Sequence, residues 1–355
     1  ARAAASRKRM ATSLSRARIG PIHGFPVTSL PSRASKRKPP TTCLDFPSPC
    51  PHPRPMRCLL AFLLLLPQPV SAAPLAPPDV AGLRLAFRCA GRGSPTVIFE
   101  SGWAADGGAW ARVVGPVAEF TRACVYDRAG AGGSSPGPLP RDSRAIAADL
   151  DAGLVAARIA PPWILVAHSA GALYARAFTQ MQPAHVKGLV LADPTLAFQQ
   201  KRLTAAVGQP AGSVAGVIAW SQKCLAAAKA GPIPADDKAL AGCVVKPPLD
   251  PVATWEARLS EVETLDGASS AILDTAPGAL GDRPLVILAA LRGMPPPAAD
   301  LRRRLLAEEA ALSRQGRVVD VPDSGHMMMF DRPDAIVEAV RAMVADARKP
   351  AAKGR

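Results

Sequence analysis

Short runs of consecutive apolar residues recur between residues 80 and 348, and they alternate with segments whose apolar residues have helical spacing. Runs of this length that are rich in Val, Ile and Leu are typical of strands buried on both faces. They predict strands over 83–87, 96–100, 123–126, 163–167, 186–192, 285–289 and 318–321. The helical spacing predicts helices over 144–160, 170–181, 299–313 and 333–347. The alternation predicts an α/β fold in which helices cover both faces of a parallel sheet.

One segment interrupts this alternation. Residues 195–275 contain Ala-rich helical stretches, several prolines and two cysteines between consecutive predicted strands. Ligands of open α/β sheets bind at the carboxyl ends of the strands, so we interpret this segment as a cap over that edge. The chain then divides into a first core part (80–194), a helical cap (195–275) and a second core part (276–348). No internal repeat is visible.

The residues before this region have a different character. Residues 1–55 show neither helical nor strand periodicity and are rich in Arg, Lys, Ser and Pro, which predicts a disordered leader. Met56 is a better candidate for a natural start, because residues 56–72 have the pattern of a signal peptide with cleavage before Ala73. The apolar run 59–66 is too short to span a membrane, and no cysteine follows it closely as a lipoprotein anchor would require. The alternatives are a chance apolar run and a transit peptide in 1–55.

Composition is compatible with a large core, since 48% of the residues are hydrophobic and 20% are charged. The formal charge is +15, but twelve of the 43 Lys and Arg lie in residues 1–57 with one acid, so the rest carries only +4. With 5% aromatic residues besides, a nucleic acid partner is not expected. Binding of a nucleic acid or a membrane surface through the leader would require that the leader belongs to the mature protein.

The cysteines favour export. Of seven, three lie before residue 59, and four remain in the expected mature chain: Cys89, Cys124, Cys224 and Cys243. An even number in an exported chain suggests disulfides, and the sequence allows three pairings. No spacing of Cys or His indicates a metal site, and we expect neither metal nor cofactor.

The most specific motif is the run AHSAG at 167–171, which joins a predicted strand to a predicted helix. Small residues on both sides of Ser169 allow the sharp, strained turn that raises a nucleophilic hydroxyl above the sheet. The helix that follows places its positive dipole end near developing negative charge. The alternative is that Ser169 is a helix N-cap.

A serine nucleophile needs a base and a carboxylate that orients it. Of the three histidines after residue 73, His326 follows the last predicted strand and is the best-placed base. His168 is expected to point away from the nucleophile, and His185 to lie at the surface. We prefer Asp193, directly after strand 186–192, as the acid. Asp300, in a predicted helix, remains the alternative.

The site also needs donors for an oxyanion. The N–H of Ala170 follows the nucleophile, and the N–H of Trp103 lies in a glycine-containing loop after strand 96–100. The glycine-rich run 127–134 lacks the Lys-Ser/Thr pair of a P-loop and the downstream acid of a dinucleotide site, so it is interpreted as a structural turn near the site.

Several of these pieces together resemble the α/β-hydrolase superfamily. They are SGW (101–103), YDRAGAGGS (126–134), AHSAG (167–171), LVLADP (189–194) and SGHMMMFDRPD (324–334). They occur in the family's order, and the chain is most similar to esterase/lipase-like and proline-iminopeptidase-like members with a helical cap. The resemblance implies a mostly parallel eight-stranded sheet, Ser169 as nucleophile and His326 as base. Three departures are Ala167 for Gly, Ser101 for the usual His of the oxyanion loop, and no acid soon after strand 285–289.

The sequence therefore predicts an exported serine hydrolase that cleaves a small carboxylic ester, or with less support an amide, through Ser169, His326 and Asp193. A serine at the turn argues against dehalogenase or epoxide hydrolase chemistry, whose nucleophile in this superfamily is Asp. The alternative is a non-catalytic binding protein with the same fold. Neither a nucleic acid partner nor a stable membrane anchor is expected.

Overall fold

A computed structural model of the chain describes residues 79–350, apart from 81–82, 209–213, 235 and 247. The predicted leader (1–55) and signal peptide (56–72) lie outside the described residues. Two short strands, β1 (Asp79–Val80) and β2 (Leu83–Arg84), form a separate antiparallel pair.

Seven strands of the described residues form the main sheet. They are β3 (Phe87–Ala90), β4 (Thr96–Glu100), β5 (Ala123–Tyr126), β6 (Trp163–His168), β7 (Val186–Ala192), β8 (Leu285–Ala290) and β9 (Gly316–Val321). Their order is β3-β5-β4-β6-β7-β8-β9. Only β3 runs antiparallel to its neighbour, and the other pairings are parallel. The predicted α/β fold with a mostly parallel sheet is confirmed, with seven strands described where the resemblance implies eight.

The strand predicted over 83–87 is divided in two. Between β2 and β3, the backbone of Ala86 bonds to the loop after β5: its N–H donates to Ser134 Oγ (2.9 Å) and its C=O accepts from Asp127 N–H (3.0 Å). At this point a serine side chain takes the place of a strand partner. The alternation of apolar and polar residues along the chain cannot reveal that a side chain bonds where a neighbouring strand would.

The described residues contain ten α-helices, eight between strands and two after the last strand. They are α1 (Ala111–Ala118), α2 (Ser143–Ala156), α3 (Gly171–Met181), α4 (Gln199–Val207), α5 (Val214–Ala230), α6 (Pro251–Thr264), α7 (Ala268–Ala271), α8 (Pro296–Ala310), α9 (Met328–Asp331) and α10 (Pro333–Ala347). The sequence does not indicate α1, because Gly115 and Pro116 lie inside it and both disfavour a helix.

Helices cover both faces of the sheet, and the residues of β6 show how. Ile164 and Val166 belong to the core that contains Val113 of α1 and Ile336 of α10. Leu165 and Ala167 alternate with them and belong to the opposite core, formed with α2, α3 and α8. Since successive side chains of a strand point to opposite faces, an entirely apolar strand is the expected sequence for a doubly covered sheet.

The segment between β7 and β8 carries four helices, α4 to α7. Trp255 of α6 is fully buried against a disulfide between Cys224 and Cys243, and its Nε1 donates to the Cys243 carbonyl (2.8 Å). The second disulfide joins Cys89 and Cys124, which face each other across β3 and β5. These two bridges select one of the three pairings that the sequence allows. None of the helices in the described part of the chain combines the length and apolar character needed to cross a membrane.

Candidate active site

Ser169 lies in a sharp turn between β6 and α3, with a left-handed backbone (φ 52°). A side chain at Gly171, two residues after Ser169, would force the backbone to shift, because a Cβ would lie 2.6 Å from the Ser101 carbonyl oxygen and 2.9 Å from that of Glu100. Ala167 on the other side is fully buried. The structure therefore has the turn that the small residues around Ser169 predict, and it leaves the Ser169 side chain partly exposed.

His326 follows β9 and contacts both residues that were predicted to accompany it. Its Nε2 is 3.1 Å from Ser169 Oγ, and its Nδ1 is 2.6 Å from Asp193 Oδ2. Asp193 directly follows β7. Asp300 is instead an exposed residue of α8 that pairs with Arg303 at 3.1 Å. The structure thus brings Ser169, His326 and Asp193 together and leaves Asp300 apart from them.

The charge of Asp193 sets the direction of the hydrogen bonds. Burial by itself would raise the pKa of Asp193, but the bond to His326 and the guanidinium of Arg302, 2.9 Å from Oδ1, hold it below its usual value. An ionised carboxylate can only accept, so Nδ1 of His326 donates to it. The lone pair of Nε2 then faces Ser169 Oγ, as a base that accepts the hydroxyl proton requires.

The loop after β4 packs directly against this group. A Cβ on Gly102 would lie 3.2 Å from Ser169 Cβ and 2.8 Å from His168 Nδ1, so glycine is needed for this close approach. Within the described part of the chain, the backbone N–H groups of Trp103 and Ala170 donate to no acceptor. Both N–H groups are thus free for a ligand. The Trp103 side chain is fixed by a bond from Nε1 to the Arg258 carbonyl of α6 (2.8 Å).

A model of the Alpha/beta hydrolase family matches residues 97–339, which include all of these elements. The chain belongs to the alpha/beta hydrolase family. Membership supports hydrolase activity.

Individual relatives are distant. The chain is 29% identical over 106 residues to the uncharacterized protein YqjL of Bacillus subtilis strain 168, a match of 30% of this chain and 42% of that protein, less than half its length. Cfl2 of Burkholderia cenocepacia is similar in structure, with a TM-score of 0.53, 22% identity, and coverage of 75% of this chain and 94% of that one. A thermophilic esterase from Thermogutta terrifontis has a TM-score of 0.53 and 19% identity over 78% of this chain and 100% of its own. At these identities the solved structures show the shared fold.

Residues 101–103, the Gly102 loop of this hydrolase, pack in front of a buried cation, Arg128, whose role the sequence does not indicate. Arg128 donates from Nη1 to the Ser101 carbonyl (2.6 Å) and from Nη2 to the Gly102 carbonyl (2.8 Å). It also pairs with Glu100 at 2.8 Å and, through two nitrogens, with Glu261 of α6 at 3.0 and 3.1 Å. Arg128 therefore joins the loop after β4 to a helix that lies 133 residues away along the chain.

The carboxylates around Arg128 are held in a buried network. Tyr126 donates its hydroxyl to Glu100. Burial raises the pKa of Glu100 to about 7, although the charge of Arg128 favours the ionised form. Asp127, next in the chain, accepts from Gly107 and Gly133 N–H groups at 2.8 Å each and pairs with Arg88. The run 127–134 therefore shapes the loops, as its interpretation as a structural turn near the site predicted.

His168 also has a place in the site. It was expected to point away from the nucleophile, and the contacts of its ring are with the base: the ring lies 4.6 Å from that of His326, and Nε2 donates to the His326 carbonyl (2.8 Å). Burial is the main cause that lowers the pKa of His168 to about 4, and the proximity of His326 is a smaller one, so His168 is neutral at pH 7. It supports the backbone that carries His326. His185, as expected, lies at the surface, where it contacts Gln182.

A cavity of about 680 Å³ opens beside His326 and Asp193. Its remaining walls come from the segment 194–203 after β7 and from residues 294–302 at the start of α8. Among the described residues, no group of three or more His, Cys, Asp or Glu side chains is arranged to hold a metal ion.

Proposed function

We propose that this hydrolase is a serine hydrolase that cleaves small carboxylic esters, and amides with less support, through an acyl-enzyme. The observation that carries the proposal is the chain of contacts from Ser169 Oγ to His326 and from His326 to Asp193, at 3.1 and 2.6 Å. An imidazole that faces a serine hydroxyl on one side and an ionised carboxylate on the other is the arrangement that activates a serine.

The proposed reaction has two stages, acylation of Ser169 and hydrolysis of the acyl-enzyme. Ser169 Oγ attacks the acyl carbon while its proton moves to His326 Nε2, and the carbonyl oxygen becomes an oxyanion that the N–H groups of Trp103 and Ala170 bind. The oxyanion collapses and expels the alcohol oxygen, which takes the proton from His326. A water molecule then attacks the acyl-enzyme by the same route and releases the acid and free Ser169. Asp193 holds the imidazole and stabilises its charged form.

The contact between Asp193 and His326 also supports catalysis over the non-catalytic alternative, which rested on doubt about the acid. We propose in addition that α4 to α7 act as a cap, since Trp103 and Arg128 both bond to α6. The two disulfides support an exported protein, because such bonds persist in oxidising compartments. Export by the proposed signal peptide predicts a secreted product that begins at Ala73, which N-terminal sequencing would test.

Labelling and turnover test the catalytic proposal together. A fluorophosphonate should label the purified protein, and Ser169→Ala should abolish labelling. Hydrolysis of p-nitrophenyl esters at neutral pH should be lost in Ser169→Ala and in His326→Ala. His185→Ala is the matched control, because His185 is an exposed histidine outside the site, and it should retain activity. Turnover that survives Ser169→Ala would refute the assignment.

A further inference from the structure

We propose that the 680 Å³ cavity beside His326 binds the leaving alcohol of the ester, and that this alcohol is uncharged and apolar. The inference rests on the proposed function and adds the substrate class to it. It assigns substrate selectivity to the alcohol part of the ester.

The order of the strands places the cavity relative to the reacting atoms. Trp103 follows β4, Ser169 follows β6, Asp193 follows β7, and the cavity wall 294–302 follows β8. Because the sheet order is β4-β6-β7-β8-β9, the cavity lies on the side of Ser169 opposite to Trp103. The oxyanion points towards the Trp103 N–H, so the cavity is not on the oxyanion side.

Proton transfer decides which part of the ester lies on the cavity side. The leaving oxygen must receive its proton from His326 Nε2, within hydrogen-bond distance. The group attached to that oxygen therefore extends from the His326 side of Ser169. His326 itself lines the cavity, together with Asp193. A leaving group that extends past His326 enters this space.

The walls of the cavity select an apolar group. Seven of the twelve lining residues are apolar: Pro194, Leu203, Met294, Pro295, Pro297, Ala298 and Leu301. The volume falls in the range of about 300–1,000 Å³ that is common for small-molecule sites. Met294 is 38% exposed although it is a large apolar side chain, so a bound alkyl group would cover apolar surface that water now contacts.

The charged residues of the cavity leave no charge for a substrate to use. Arg302 is the one cation among the lining residues that the structure describes, and its Nη2 bonds to Asp193 Oδ1 (2.9 Å) and to the Pro194 carbonyl (2.8 Å). Its Nη1 is 3.3 Å from Gln199 Oε1. Asp193 in turn is occupied by Arg302 and His326. Neither a carboxylate nor an ammonium on the alcohol would therefore find an unpaired partner.

Two ester series separate this inference from the proposed function. The first keeps acetate and lengthens the alcohol from ethyl through butyl and hexyl to octyl; the second keeps ethanol and lengthens the acyl group equally. For the wild type, kcat/KM should rise along the alcohol series by up to about fourfold per methylene, as expected for burial of a CH₂ group. An acetate ester whose hexyl chain ends in a carboxylate should lose this gain.

A variant that fills the cavity provides a second readout. Ala298→Trp should lower kcat/KM for octyl acetate by about tenfold or more relative to ethyl acetate. Ala307→Trp is the matched control: Ala307 is exposed on the same helix and does not line the cavity. It should leave the alcohol dependence of the wild type unchanged.

The outcomes are distinguishable. An absence of ester turnover and of fluorophosphonate labelling in the wild type would refute the proposed function. Turnover that is flat along the alcohol series but rises along the acyl series would overturn the inference and leave the function intact. An equal loss for ethyl and octyl acetate in Ala298→Trp would overturn it as well.

Discussion

Replacement of Arg128 by lysine tests whether the cation behind the Gly102 loop positions an oxyanion donor. The peptide bond between Gly102 and Trp103 is trans, so its C=O and N–H point to opposite sides. Arg128 holds that C=O at 2.8 Å and thereby fixes the direction of the Trp103 N–H. The neighbouring Ser101 carbonyl is held at 2.6 Å by the same guanidinium. We therefore expect Arg128 to act on catalysis through the backbone, without touching substrate.

The expected loss of stability follows from a count of the hydrogen-bond donors of Arg128 and of lysine. The five N–H groups of Arg128 have five acceptors: Glu261 Oε1 and Oε2, Glu100 Oε1, and the carbonyls of Ser101 and Gly102. Lysine has three N–H groups, so at least two acceptors lose a charged donor at about 1.5 kcal/mol each. We expect Arg128→Lys to lower the free energy of unfolding by about 3 kcal/mol. A lost oxyanion donor lowers kcat by about 10²–10³, so a misdirected one should lower kcat by roughly tenfold to a hundredfold.

The assay compares kcat, KM and urea unfolding of two lysine variants. Arg88→Lys is the matched control, because Arg88 makes a bidentate pair with Asp127 at 2.8 and 2.9 Å and bonds to no atom of residues 101–103. It should lose stability and keep kcat. KM should change little in Arg128→Lys, since the oxyanion forms only in the transition state. If Arg128→Lys is destabilised as expected but its kcat stays within twofold of that of Arg88→Lys, the positioning role is wrong.

Three further substitutions test separate parts of the site. Asp193→Asn should lower kcat by about 10³–10⁴, because an amide no longer holds His326 in the required tautomer; steady-state kinetics with folding checked by circular dichroism would show it, and a loss below tenfold would contradict it. Gly171→Ala should cost about 1–3 kcal/mol of unfolding free energy in urea, since its Cβ meets backbone oxygen at 2.6 Å, whereas Gly115→Ala, with no atom within 4 Å, should be neutral or stabilising. The fold lowers the pKa of His168 from 6.5 to about 4, so as the pH falls the unfolded chain binds a proton before the folded chain does. The free energy of unfolding of the wild type should therefore fall by about 3 kcal/mol between pH 7 and pH 4, relative to that of His168→Gln. Parallel pH curves of stability for the two proteins would contradict this.

The three residues that the structure brings together each lie a few residues at most beyond the end of a predicted strand: Ser169 after 163–167, Asp193 after 186–192 and His326 after 318–321. The carboxyl ends of parallel strands meet at one edge, so Ser169, Asp193 and His326 could be assigned to a common edge without any knowledge of contacts. The choice between Asp193 and Asp300 remained open because it depends on strand order. The sheet places β7 next to β6, and Asp300 lies in α8 with its side chain 61% exposed.

The network around Arg128 could not be predicted in the same way. Its partners Glu100 and Glu261 come from a strand and from an inserted helix, and no periodicity connects residues 133 positions apart. A buried ion pair also runs against the expectation that a strand end and an amphipathic helix expose their charges. One signal was present: Glu100 ends an otherwise apolar strand, and a carboxylate at that position needs a buried partner.

The strained backbone at the site is held by an extension of the sheet. Ser169 and Asp193 both have left-handed backbones, φ 52° and 42°, which residues with a Cβ adopt only at an energetic cost. The Ser169 N–H donates to the Ala192 carbonyl at 3.3 Å, and the Asp193 N–H donates to the Leu288 carbonyl at 2.9 Å. Each bond continues the pairing of parallel neighbours one residue beyond a strand end. The two side chains are therefore positioned by main-chain bonds between β6, β7 and β8. This register, together with the hydrogen bond from His168 to the His326 carbonyl, keeps the nucleophile, base and acid in contact before any substrate binds.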